Sequence, residues 1–224
     1  MAWQHRNTQT AQSTSAVSSL AVNKPTGAAV GDLLVIQMTT HNQTRTPSCS
    51  GFTSIHAAGG VGMSMWAGYR IADGTEGSTF TVSISGGTSR PTVACSAFYD
   101  DAAGTITFDT GNVQDTASGT SHASPSVTPA GADELAIANY GIGNPSALNA
   151  WTPPSGYAEV ADVHDAGGTC GSTGVAWKSA SSGSQSITAT SSQSLAGRAG
   201  LAFFITTPAA GGTVRMLASL GVGT

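Results

Sequence analysis

Charge is scarce in this sequence. Only 9% of its 224 residues are Asp, Glu, Lys or Arg, against roughly a quarter in an average soluble domain. Amphipathic helices draw their wet faces from those residues, so long helices are nearly excluded. Lys24 and Lys178 are the only lysines, and 8 basic against 12 acidic residues leave a formal charge of -4. No basic surface exists to neutralise phosphates or anionic lipid, so neither nucleic acid nor membrane is an expected partner. Cysteine occurs three times, as Cys49, Cys95 and Cys170, with no CxxC spacing. An odd number so placed argues against a disulfide framework and a zinc site, and isolated reduced thiols are expected. Long apolar runs are missing too. The longest, Leu201 to Ile205, is far too short to cross a bilayer, and the opening MAWQHRNTQTAQSTS lacks the apolar core of a secretory signal. Synthesis in the cytoplasm is therefore expected.

What the chain does contain is turn and strand chemistry. Glycine fills 29 positions, and serine and threonine together fill 58. Alternating or β-branched stretches recur between clusters of Gly, Pro, Asn and Asp. They predict strands near 16–22, 33–39, 52–57, 63–71, 79–85, 92–99 and 105–108. A second series follows near 124–128, 135–140, 157–163, 174–179, 185–190 and 199–206.

The second series repeats the first. AVGDLLVIQMTTHN from Ala29 matches AGADELAIANYGIGN from Ala130, and SGFTSIHAA from Ser50 matches SGYAEVADV from Ser155. WAGYRIADGTEGSTFTVSIS from Trp66 matches GVAWKSASSGSQSITATSS from Gly174, and SRPTVACSAF from Ser89 matches GRAGLAFFIT from Gly197. Two copies are too few for a solenoid. The expectation is all-β: one antiparallel β-sandwich over 16–207, built from duplicated halves at about 16–108 and 120–207 that bury their apolar faces against each other. An N-terminal segment, 1–15, and a C-terminal arm, 208–224, lie outside the duplication. The arm carries Val214, Met216, Leu217, Leu220 and Val222, so it either folds back as an edge strand or docks on a neighbour. With Trp3, these are the expected partner-binding residues.

Catalytic motifs are thin. GTSHASP, from Gly119, resembles the serine motif of subtilisin-like proteases and FDTG, from Phe108, their aspartate motif, which would make Ser121 the nucleophile and Asp109 the acid. That family needs a histidine in an HGT context between the two, and none exists. The histidines are His5, His41, His56, His122 and His164. Asp162 and His164 are two apart on a strand and so share a face, but no further metal ligand is visible beside them. Asp165, Asp100 and Asp101 read as turn residues. Trp66 and Trp177 read as packing residues, whereas Trp151, beside two prolines, is expected exposed, on a glycan or at an interface. No catalytic, cofactor-binding or metal-binding residue is assigned, and an enzyme is not expected.

The runs PTGAAVGDLLVIQM, PSCSGFTSI, MWAGYRIADGTEGSTFTVSIS and VACSAFYD resemble a recurring β-sandwich module of tailed-bacteriophage virion proteins. Gly31, Asp32, Leu33, Gly51, Phe52, Tyr69, Arg70, Ala72 and Tyr99 occupy its pattern, and the resemblance spans about 20–207. It implies a jelly-roll-like sandwich on a phage particle. The expected role is a capsid decoration or cement protein on the outer surface of the head, with the major capsid protein and copies of itself as partners. The alternative is a minor tail or fibre component that binds a host surface or carbohydrate.

Overall fold

The computed structural model describes residues 3–101, 104–143, 148–164, 170–180 and 182–208, and none of these is helical. The first copy comprises β1 (Trp3–Gln12), β2 (Ser19–Asn23), β3 (Leu33–Thr40), β4 (Thr46–Cys49), β5 (Thr53–Gly60), β6 (Met63–Ile71), β7 (Thr79–Ser85) and β8 (Thr92–Asp100). The second comprises β9 (Gly104–Ala123), β10 (Glu134–Gly143), β11 (Trp151–Thr152), β12 (Ala158–Val163), β13 (Gly171–Ala180) and β14 (Thr188–Pro208). Every ladder between these strands is antiparallel.

The duplication is written in the topology. The large sheet of the first copy runs β1-β8-β3-β6-β5, and that of the second runs β9-β14-β10-β13-β12. A small sheet, β2-β7-β4, completes the first copy. In its place, the early part of β14 pairs with the end of β9 and with β11. Even the irregularities recur. Arg6 in β1 and Asp109 in β9 occupy matching bulges, as do Ile55 in β5 and Val160 in β12. A bulge leaves one residue out of the ladder and turns its side chain aside.

Three apolar layers explain why β3 and β10 are apolar on both faces. Leu34, Ile36 and Met38 face the small sheet of their own copy, together with Trp66, Val82 and Cys95. Ala136, Ala138 and Tyr140 form the matching core in the second copy, with Trp151, Tyr157 and Leu201. The other faces, Leu33 and Val35 against Leu135 and Ile137, meet in a shared layer with Trp3, Phe98, Phe204 and Trp177. The first copy is thus a two-sheet sandwich, the second closes its core within one sheet through its long strands β9 and β14, and the two large sheets stack face to face, β1 over β12 and β5 over β9. The sequence suggested one sandwich shared between two halves. The antiparallel sandwich is present between the two large sheets, and each copy in addition closes a core of its own on the second face of its large sheet.

Two boundaries and one register move accordingly. Residues 3–12 are not outside the duplication, since β1 is the edge strand of the first large sheet. Residues 109–119, left between the two expected halves, lie within β9, the counterpart of β1. The match of Ser89 with Gly197 slips by two residues: Val93 pairs with Met38 as Ala199 pairs with Tyr140, making Phe98 the counterpart of Phe204. A two-residue slip preserves which side chains face the core, so the pattern alone does not reveal it.

Candidate functional site

The polar groups held between the copies are the most ordered chemistry in the molecule. Gln37 and Asn139 occupy matched positions on β3 and β10 and are both buried. Asn139 Nδ2 donates to Gln37 Oε1 at 2.5 Å, and Gln37 Nε2 donates to the Tyr140 carbonyl at 3.0 Å. The Thr92 and Thr173 hydroxyls meet 2.9 Å apart. Of these bonds, the one between Gln37 and Asn139 joins matched positions, as an approximate two-fold relation of the copies requires.

Away from that pair the copies differ in charge. In the first, the bulge residue Arg6 donates to Asp32 Oδ2 at 2.5 Å and lies 3.9 Å over the Tyr99 ring. The bond to Asp32 raises the Arg6 pKa. Glu134 takes the place of Asp32 in the second copy, and Asp109 takes the place of Arg6. Gly131 N–H donates to Glu134 Oε1 at 2.6 Å, and Ala130 N–H donates to Asp109 Oδ2 at 2.8 Å. A cation–carboxylate pair has become a pair of carboxyls. Burial first, and then the neighbouring Asp109, push the Glu134 pKa up, although the Gly131 bond opposes them. Glu134 Oε2 is buried without a donor.

The protease-like residues do not assemble. Ser121 and Asp109 lie twelve residues apart on β9, and Ser121 is exposed. Adjacent to it, His122 is fully buried on the opposite face. Ser191 Oγ donates to the Gln193 carbonyl at 2.7 Å, so it accepts from His122 Nε2 at 2.9 Å, and Thr116 Oγ1 donates to His122 Nδ1 at 2.7 Å. That chain fixes the neutral tautomer with its proton on Nε2, and burial lowers the His122 pKa. The serine that His122 contacts is Ser191, not Ser121.

The remaining histidines are scattered. His56 is buried with neither ring nitrogen hydrogen-bonded. Burial, reinforced by Arg198, brings its pKa down to about 4. His5 faces Thr8 at 2.8 Å, and burial lowers its pKa. His164 Nδ1 lies 3.3 Å from Asp162 Oδ1, while Asp162 Oδ2 accepts the Trp151 N–H at 3.0 Å. Asp162 thus anchors β11. Asp165 lies outside the described residues. Among those residues, no three His, Cys, Asp or Glu side chains group as metal ligands would. Cys49, Cys95 and Cys170 are buried and not in disulfides, and burial pushes the Cys49 pKa up to about 11.

Both tryptophans expected at a partner or glycan are internal. Trp151 is 5% exposed: it packs 4.8 Å from the Tyr140 ring, and its Nε1 donates to Ser172 Oγ at 2.8 Å. Trp3 is 2% exposed in the shared layer, with Nε1 donating to the Asp133 carbonyl at 3.0 Å. An indole with a buried hydrogen-bond partner is a packing element, not a landing platform. Val214, Met216, Leu217, Leu220 and Val222 lie outside the described residues.

Two surface features escaped the sequence reading. The outer face of each copy turns rows of hydroxyls outward. In the first copy, Thr79, Thr81, Ser83 and Ser85 alternate with buried Phe80, Val82 and Ile84, and the Ser19–Ser83–Ser48 row crosses three strands. In the second, Ser121, Thr190 and Thr152 form an equivalent row. The alternation in TFTVSIS was a legible signal for that face. The other is a cleft of about 250 Å3 beside Arg6 and Ile106; it joins residues far apart in sequence, so no local motif announces it. No protein-family model, curated protein or solved structure matches the chain.

Proposed function

We propose that the chain is a structural protein of a tailed-phage virion, binding the outer surface of the head as a decoration or cement protein, with the major capsid protein and copies of itself as partners. The observation that carries this reading is the all-β block, whose two outer faces present uncharged hydroxyl rows while the titratable histidines His56 and His122 are buried. Such a body offers hydrogen bonds to a protein lattice. The module resemblance supports the same role. The apolar residues of the 208–224 segment supply the anchor on the capsid. A carbohydrate-binding tail component loses its support, because no tryptophan of the chain is exposed.

The test is reconstitution on purified heads that lack the protein. Quantitative mass spectrometry should find copies in fixed proportion to the major capsid protein, and removal of residues 209–224 should reduce occupancy at least tenfold. Recovery of only a few copies per particle, localised to the tail, overturns the reading.

A further inference from the structure

The two-fold relation between the copies pairs Trp3 of β1 with Ile106 of β9: Trp3 faces Asp100 in its ladder, and Ile106 faces Thr206, the counterpart of Asp100. Each side chain enters the shared layer from the edge strand of its large sheet. Trp3 crosses to the turn before β10, where its indole N–H meets the Asp133 carbonyl. Ile106 reaches the corresponding turn before β3, and beside it opens the cleft of about 250 Å3, bordered by Arg6, Asp32, Tyr99, Asp100 and Gly104. Gly31, the counterpart of Asp133, also lines it. The molecule therefore fills one of two related sites with its own indole and leaves the other, where isoleucine replaces tryptophan, open.

We propose that this cleft binds an indole ring. Its walls suit that chemistry. Asp32 pins the Arg6 guanidinium, which has one face on the Tyr99 ring and a side chain 31% exposed, so a planar ring stacks on its free area. Asp100, on the border, favours an N–H edge over a carboxylate-bearing ligand. Val30, 73% exposed on the rim, adds apolar contact. The ring arrives either as a small indole or as a tryptophan side chain on a partner. This inference is independent of the virion reading.

Isothermal titration with indole and with N-acetyl-tryptophanamide tests it and separates the two sources. Wild-type protein should bind one equivalent with Kd on the order of 1 mM or tighter. Preference for the amide points to a partner's tryptophan, and preference for indole to a small molecule. Ile106→Trp, which rebuilds the Trp3 arrangement, should abolish binding while circular dichroism stays that of folded protein. Ile106→Phe should weaken it at least tenfold, which keeps the test open should the tryptophan variant misfold. Trp3→Ile should add a second equivalent. Absence of wild-type binding up to about 10 mM, or affinity unchanged in Ile106→Trp and Ile106→Phe, overturns the proposal.

Discussion

At the scale of single residues, buried titratable groups set the pH response. The unfolded chain protonates His56 near 6.5, whereas the folded protein resists until about pH 4. Between those values the unfolded state binds the extra proton, so stability is full above pH 6.5 and falls as pH drops, by about 3 kcal/mol at the acid end. Calorimetry across that window should show the fall, and His56→Leu should flatten it. Glu134 acts in the opposite sense. Its raised pKa favours the folded state at low pH and withdraws that support as pH climbs through the folded value. Asp109→Arg rebuilds the Arg6–Asp32 pairing beside Glu134 and should raise stability by about 1 kcal/mol, or roughly 2–4 °C in Tm. A lowered Tm would mean that the lost Ala130 bond outweighs the new ion pair. Little of this was legible beforehand. Trp151 looked exposed because prolines follow it, and its inward course depends on Ser172 and Asp162, 21 and 11 residues away.

Strands reveal where reading the chain succeeds. β3 and β10 were legible because both faces are apolar, as a strand between two cores requires. β7 was legible from its alternation. β1 was not, and β9 only at 105–108, since WQHRNTQTAQ and the long polar remainder of β9 border solvent at sheet edges and have no continuous apolar face. Only the duplication, extended past its visible ends, would have found them. The copies also trade bulk between neighbouring strands. Met38 faces Trp66 in the first copy, where Tyr140 faces Gly174 in the second. A Cβ on Gly174 would lie 1.9 Å from the Tyr140 ring. Gly174→Ala should therefore destabilise by about 2–3 kcal/mol, as overpacking does. Pairing it with Tyr140→Met should recover most of the loss in denaturant titrations, and failure to recover would place the strain elsewhere.

For the molecule as a whole, the shared layer decides cooperativity. Either large sheet alone would expose Leu33, Val35 and Phe98, or Leu135, Ile137 and Phe204, to water, an apolar patch of the kind soluble monomers avoid. Thermal unfolding should be one transition, with calorimetric and van't Hoff enthalpies equal. Two resolved transitions would show that each copy stands by itself. Because the antiparallel ladders of each large sheet close within one copy, the polypeptide is in effect a homodimer whose subunits have been fused end to end. Chains cut between β8 and β9 and expressed separately should then find each other in solution, re-forming the seam that the peptide link now only holds in place.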